Sequence, residues 1–206
     1  MQPQAVPASI VDEPLYRISD EELLELNAVS KWYRFERDAD GLLIVTPPTG
    51  SETSARNAEL TRQVGNWNEQ HGHGKVFDSN GGFVPPDSSM RAPDTSWVCG
   101  RRWAEVPAQE RQGFAHLAPD LVIELVSKSD QHKRLEDARK KVKTFVDGGS
   151  RVGLILDPYR NVVETSGTDL LPAELPAAVL EIPVELLAGA DAPLVLDVPR
   201  IFAAGA

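Results

Sequence analysis

The sequence predicts an α/β (α+β) domain with a mixed central β-sheet flanked by helices. Two observations carry this. Short apolar runs of strand character alternate with amphipathic stretches of helical period along the whole chain. Glycine and proline clusters punctuate these stretches where one element would have to end. The length of 206 residues, with 41% hydrophobic and 25% charged residues, suits one domain with a sizeable core. That domain is expected over residues 19–206, after an extended, proline-containing arm over 1–18.

The elements follow in order. Ser19 caps a helix whose first turn carries Asp20, Glu21 and Glu22, acids that suit the positive end of the helix dipole. Gly41 to Val45 is a strand stopped by Thr46-Pro47-Pro48. Ser51 to Glu69 is a helix with Leu60, Val64 and Trp67 on one face, ended by His71-Gly72-His73-Gly74. Residues 75–77 and 82–84 are short strands, and residues 91–98 form a strand opened by Pro93. Gly100 to His116 is a polar excursion anchored by Trp103 and Phe114. Leu121 to Val126 is the most apolar strand, and a helix over about 130–147 follows, stopped by Gly148-Gly149. Arg151 to Leu156 is a further strand, closed by Asp157-Pro158. Residues 168–206 are rich in Leu, Ala and Pro and pack as short strands and turns with a short helix or tail at the end.

Several classes of function are excluded or constrained. No apolar run approaches the roughly 20 residues of a membrane helix. The first nine residues have neither the basic nor the apolar region of a signal peptide, so the cytoplasm is the expected compartment. Cys99 is the single cysteine, which rules out an internal disulfide or a cysteine zinc cluster. The formal net charge of -10 opposes non-specific binding of nucleic acid, which depends on neutralising phosphates. Any such binding needs a local basic patch.

The central anomaly is an acid inside an apolar strand, Glu124 in Asp120-Leu121-Val122-Ile123-Glu124-Leu125-Val126. A buried, unpaired carboxylate is costly, so Glu124 needs a metal, a base or a donor network. A salt-bridged or edge-exposed glutamate is the ordinary alternative. Asp94, at the start of an earlier strand, is a second acid that converges on Glu124 if the two strands are neighbours. Two carboxylates plus waters are a sufficient protein contribution to a Mg²⁺ site, and such an ion polarises a phosphodiester and acidifies a water.

The helix after Glu124 supplies positive charge through Lys128, Lys133, Arg134, Arg139, Lys140, Lys141 and Lys143. Its apolar stripe is Leu135, Ala138, Val142, Phe145 and Val146. Lys141 and Arg134 border that stripe, whereas Lys140 and Lys143 point away from it. Lys141 is therefore the lysine that reaches toward the sheet and Glu124, where it can hold a water or neutralise a phosphate oxygen.

At these residues the chain resembles a known family. Arg91-Ala92-Pro93-Asp94, then Ala118-Pro-Asp-Leu-Val-Ile-Glu124-Leu-Val-Ser127, then Lys141, Gly149 and Leu156-Asp157-Pro158 follow one bacterial pattern, joined by Glu52-Thr-Ser with Asn57, the GGFVPP stretch and Trp103. The pattern is similar to the Uma-two family of restriction endonucleases, within the PD-(D/E)XK nuclease superfamily, over about Gly41 to Ile201. The resemblance implies a restriction-endonuclease-like fold and a Mg²⁺- or Mn²⁺-dependent endonuclease acting on DNA. Asp94 and Glu124 would be the metal-binding motif acids. It also implies an acid from an early helix, for which Glu59 is the candidate and Glu52 the second choice. The superfamily lysine usually stands two residues after the motif glutamate. Here that position is Val126, and the likeness places the lysine on the following helix, at Lys141. The alternative to an active enzyme is an inactive nuclease-fold module that binds nucleic acid or a protein partner. A homodimer is expected if both strands of a duplex are cut.

Other constellations carry less. His71 and His73 read as a flexible turn rather than a metal site, and His116 and His132 are isolated. Cys99 has no activating motif. Ser127 or Ser129 reads as the cap of the following helix, and no nucleophile elbow, P-loop or dinucleotide fingerprint is present. Trp97 and Trp103 read as packing residues. Asp94, Glu124 and Lys141 should meet in one cleft. On this reading Lys141→Ala abolishes activity with the fold intact, and Lys143→Ala does neither.

Overall fold

The computed structural model describes residues 17–127 and 131–205. Residues 1–16, Lys128, Ser129 and Asp130 lie outside them, so most of the expected arm and the Ser129 cap are not described. The chain runs α1 (Asp20–Val29), β1 (Arg34–Arg37), β2 (Leu43–Thr46), α2 (Ser51–Trp67) and β3 (Lys75–Asp78). It continues with β4 (Thr95–Val98), α3 (Gly100–Glu105), α4 (Ala108–Gln112), β5 (Leu121–Leu125), α5 (Gln131–Asp147) and β6 (Val152–Asp157). The last elements are β7 (Val162–Ser166), β8 (Glu174–Pro176), β9 (Val179–Ile182), β10 (Leu194–Asp197) and α6 (Val198–Ala203).

The centre is a six-stranded mixed sheet of order β3-β4-β5-β6-β7-β8. All neighbours are antiparallel except β5 and β6. A parallel pair needs a crossover, and α5 supplies it. Both faces of β5 and β6 are covered, which is why these strands are continuous apolar runs with every residue buried. Two antiparallel hairpins, β1-β2 and β9-β10, stand outside the central sheet.

Alternation along the strands sends neighbouring side chains to opposite faces. Val98, Val122 and Ile155 pack with Leu135, Ala138, Val142 and Phe145 of α5. Trp97, Leu121, Ile123 and Leu154 pack with Leu60, Val64 and Trp67 of α2 and with Leu196 and Ile201. Trp97 is fully buried, edge-on to Trp67 at 5.3 Å between ring centroids, and its indole N–H donates to Asn68 Oδ1 at 2.7 Å. The β5–α5–β6 unit thus sits between two hydrophobic layers, with the stripe of α5 that the periodicity marks turned to the sheet.

Local physics explains the element ends. Ser19 and Glu22 form a reciprocal capping box at the start of α1. The helix α2 continues into a π-helical turn over Asn68–Gly72. His71 Nδ1 and His73 Nε2 lie 2.9 and 3.1 Å from the two carboxylate oxygens of Asp191, so the expected flexible turn is instead tied to the loop before β10. The polar excursion over 100–116 contains the two short helices α3 and α4. Residues 82–84 make only isolated bridges, through Phe83, rather than a strand.

The approach of α5 to the sheet is set by Gly153. A β-carbon there would lie 2.3 Å from Val142 Cγ1, and a β-branched side chain at a buried helix position has little rotamer freedom to yield. Gly153→Ala should therefore lift α5 and cost about 1–3 kcal/mol. Urea denaturation checks this, and an unchanged midpoint would show that the helix seats independently of this contact.

Candidate active site

Antiparallel pairing of β4 with β5 sets Thr95 opposite Ile123. One step further along the same register brings Asp94 beside Glu124. The two residues are interlocked. The Asp94 N–H donates to Glu124 Oε1 at 3.3 Å, and the Leu125 N–H donates to Asp94 Oδ2 at 2.9 Å. Asn57, on α2, donates its amide Nδ2–H to Asp94 Oδ1 at 3.2 Å. The remaining Asn57 Oδ1 is buried without a hydrogen-bond partner among the described residues.

Lys141 enters from α5 at the border of the apolar stripe and is 9% exposed. Its ammonium lies 3.1 Å from Glu124 Oε1 and 3.3 Å from Glu36 Oε1, and donates to the Ala92 carbonyl at 3.0 Å. An ammonium has three N–H donors, and here each has an acceptor. Glu36, from β1, is 2% exposed. It also pairs with Arg91 Nε at 2.9 Å and accepts the Ala92 N–H at 3.1 Å.

These contacts set the protonation of the cluster. Burial pushes the Glu124 carboxyl up, Lys141 pulls it back, and the charges of Asp94 and Glu36 push it up again, so it rests at about 7. Burial opposes the charge on Lys141, but Glu124, Glu36 and Asp94 together hold its ammonium above the ordinary lysine range. Burial likewise opposes the charge on Glu36, but Lys141, Arg91 and the Ala92 N–H hold its carboxyl below the usual range.

The cluster lies at the wall of a cleft of about 830 Å³. Glu36, Asp94, Glu124 and Lys141 line it, with Arg34, Arg91, Arg134 and Lys140. Lys140 thus faces the cleft despite its distance from the apolar stripe, because the cleft extends beyond that border. Lys143 instead pairs with Asp147 and is exposed.

The two early-helix acids part company. Glu52 is exposed and lines the cleft. Glu59 is not brought there. Its carboxylate pairs with Arg62, accepts from Gln63, and lies 2.9 Å from Arg200 Nε. The hydrogen bond from Arg62 leads the effects that hold it down at about 2. Helical phase is the reason. At 3.6 residues per turn, Glu59 lies about 200° round α2 from Asn57, the residue that does reach Asp94.

Glu36 is the member that the sequence reading does not name. Its signal is faint but present. Residues 34–37 and 43–46 flank Asp38-Ala39-Asp40-Gly41, a turn cluster of hairpin type, and Glu36 is the acid in the first arm.

A family model described as Uma2, putative restriction endonuclease, matches residues 20–186. The chain belongs to the Uma2 family. No curated protein matches it. Among solved structures it is similar to a putative nuclease belonging to DUF820 from Anabaena variabilis ATCC 29413. The TM-score is 0.63 at 18% identity, over 84% of this chain and 92% of that one. At that identity the likeness speaks for the fold, the restriction-endonuclease-like mixed sheet flanked by helices.

Burial changes what removal of Lys141 means in this Uma2 chain. Lys141→Ala leaves Glu124 and Glu36 buried beside each other without their shared cation, a loss of about 3–5 kcal/mol. The expectation of an intact fold is therefore replaced by a strong drop in stability. Lys143→Ala should stay within about 0.5 kcal/mol of the parent. Melting temperatures of the two variants test this, and equal values would show that the triad does not hold the site.

A second prediction follows from Glu124. Its folded pKa lies above the ordinary value of 4.5, so the folded state holds a proton that the unfolded chain has lost. Its contribution to stability is full below about 4.5 and is lost as pH rises through about 7. Glu36, held low, and Lys141, held high, keep their charges across this window. Glu124→Gln should remove a slope of at most about 1.4 kcal/mol per pH unit. Chemical denaturation at pH 5 and pH 8 should show the variant gaining on the parent at the higher pH. A gap independent of pH would show that Glu124 is ionised throughout.

Proposed function

We propose that this Uma2 chain is a metal-dependent endonuclease that hydrolyses phosphodiester bonds in DNA, with Asp94 and Glu124 holding Mg²⁺ or Mn²⁺ and Lys141 completing the site. The observation that carries this reading is the interlocked Asp94–Glu124 pair with Lys141 against it, in a cleft that also presents Arg134 and Lys140. The family and fold agree with it.

The donor set fits such an ion. Among the described residues, no group of three or more His, Cys, Asp and Glu side chains forms a closed metal site. Mg²⁺ does not need one, since it binds through one or two carboxylates and keeps several waters. The cluster also has charge to receive a cation, because the acids Asp94, Glu124 and Glu36 outnumber Lys141 and Arg91. Burial leads the effects that raise the Glu124 carboxyl, and the charges of Asp94 and Glu36 add to it. A divalent ion held there would supply Lewis-acid polarisation of the phosphodiester and acidify the attacking water.

The protein groups do the rest. Lys141 and the Asp94 N–H both engage Glu124 Oε1, which fixes the orientation of the carboxylate. Lys141 contributes its positive charge from a buried position, where charge acts more strongly than in water. Two such sites in a homodimer would cut both strands of a DNA wherever the segment at each site is unpaired.

A second reading, an inactive nuclease-fold module that binds nucleic acid, is favoured by one feature. Lys141 donates to the Ala92 carbonyl and its ammonium is held within 3.3 Å of both Glu124 and Glu36, a position in which it is engaged by the protein rather than by a water. One experiment separates the two. A panel of duplex, single-stranded and modified DNA and RNA is incubated with Mg²⁺ or Mn²⁺, and Mn²⁺ binding is titrated calorimetrically. The nuclease reading expects cleavage, reduced roughly 10²–10³-fold or more in Asp94→Asn and Glu124→Gln, with Mn²⁺ binding lost in both. Binding of nucleic acid without cleavage, unaffected by either variant, would establish the second reading.

A further inference from the structure

A second groove, of about 810 Å³, opens on the other side of Asp94. It shares Arg34, Thr46, Pro47, Pro48, Thr49 and Asp94 with the cleft described above. The two spaces therefore meet at the carboxylate, and a strand crossing Asp94 would enter both. Their chemistry differs. The first is lined by carboxylates and cations. The second contains Trp32, Tyr33, Phe35, Phe77, Phe83, Trp103 and Phe114, seven of the 13 aromatic residues of the chain. Packing accounts for five of the seven, since Phe77, Phe83 and Trp103 belong to one hydrophobic cluster and Phe35 and Phe114 to another, but not for Trp32 and Tyr33.

Part of it is a structural floor. Phe77 meets Phe83 edge-on at 5.1 Å and Trp103 at 5.0 Å. The rim is different. Trp32 is 70% exposed and Tyr33 is 53% exposed, at the turn between α1 and β1. Large aromatic faces left in water beside a concave surface mark a place where a flat, apolar partner stacks. The charge of the groove points the same way. Lys31, Arg34 and Arg111 outnumber Asp94 and Glu110, in a chain whose net charge is -10. A polyanion carrying flat rings satisfies both features. A base-paired duplex does not, because its rings are stacked inside the helix and cannot reach an aromatic wall.

We propose that the groove rimmed by Trp32 and Tyr33 is a base-holding subsite, which stacks an unpaired nucleobase of the strand whose phosphate lies at Asp94. This deepens the nuclease reading and rests on it for the position of the phosphate. The substrate class is single-stranded DNA or the unpaired segment of a larger DNA. The physical basis is base–aromatic stacking, which tolerates any sequence because every base has a π-face.

The test measures fluorescence anisotropy of three labelled probes in Ca²⁺, a hard cation for oxygen ligands, with hydrolysis followed separately in Mg²⁺: a mixed-sequence single-stranded oligodeoxynucleotide, the same strand with abasic sites, and a blunt duplex. Parent, Trp32→Ala, Trp32→Phe and Tyr33→Ala are compared. Both alanine variants lie on an exposed rim and should melt as the parent does. The proposal expects the parent to bind the single strand most tightly, and Trp32→Ala and Tyr33→Ala to weaken it roughly 5- to 100-fold. Trp32→Phe should retain most of the affinity, and the abasic strand should bind weakly and equally to all four proteins. Equal binding of the intact strand by parent and alanine variants overturns it. So does a duplex bound as tightly with the same dependence on Trp32. A parent dimer that Trp32→Ala dissociates in sedimentation, with DNA affinity unchanged, also overturns it and assigns the rim to a second copy of the chain. Cleavage and binding fail separately. Base-dependent binding without hydrolysis keeps the subsite and removes the nuclease reading, whereas hydrolysis indifferent to Trp32 and Tyr33 does the reverse.

Discussion

The buried contact of Lys141 with Glu36 and Glu124 is the interaction on which the rest of the site depends. It joins β1 to the consecutive elements β5 and α5, far along the sequence. Removing three charges from water costs several kcal/mol for each, and the arrangement offsets this by satisfying every polar group it can. The ammonium has three acceptors, and Glu36 has Arg91 and a backbone N–H as well. Apolar residues of similar volume could fill the same space. What they could not do is fix the β1-β2 hairpin in one position, since apolar contacts are non-directional. The hairpin stands outside the central sheet, and Arg34, Glu36 and Ile44 from its two strands line the cleft. The shape of the cleft is thus a consequence of the ion contacts beneath it.

The two ends of β5 show how context separates a structural acid from a chemical one. Asp120, just before the strand, is as buried as Glu124. It accepts the Cys99 N–H at 2.8 Å and faces Arg102 at 3.0 Å and Arg151 at 3.6 Å. Two cations and a donor surround a single carboxylate there. At Glu124 the balance is reversed, with one close cation and two further acids. Burial is common to both; the cations around Asp120 make it a fixed strut, whereas at Glu124 desolvation, with Asp94 and Glu36 adding to it, raises the carboxyl.

The sequence shows this difference only in part. Glu124 stands out because an acid inside an apolar run is anomalous by itself. Lys141 stands out because helical phase places it on the border of a stripe. Both signals are local, and local periodicity is what a sequence displays. Glu36 lies in Arg34-Phe35-Glu36-Arg37, a stretch whose charges read as solvent-facing, and partners distant in sequence, Lys141, Arg91 and the Ala92 N–H, make its burial tolerable. The early-helix acid fails for the opposite reason. Glu59 has the right residue type, but the face of α2 turned to Asp94 carries Asn57. That amide gives Nδ2–H to Asp94, and its own oxygen is buried with no partner among the described residues. Its orientation follows from Asp94, both of whose oxygens already accept N–H bonds. A neutral donor at this place steadies the carboxylate without adding a further negative charge to a cluster that already has an excess.

The same reasoning answers the objection that an acidic chain is a poor partner for DNA. Net charge governs the field far from the protein, but within a Debye length of about 8–10 Å the local arrangement dominates. Helix α5 shows the sorting. Arg139 pairs with Glu164 and Lys143 with Asp147, both away from the cleft, while Arg134 and Lys140 line it. Six acids and five cations line the cleft in all. Its formal charge is therefore -1, against -10 for the chain. A divalent cation held by Asp94 and Glu124 would carry that balance to +1. On the proposed reading, the sign of the field at the cleft would change when the ion binds, and the acidity of the chain as a whole would make DNA binding conditional on metal rather than prevent it.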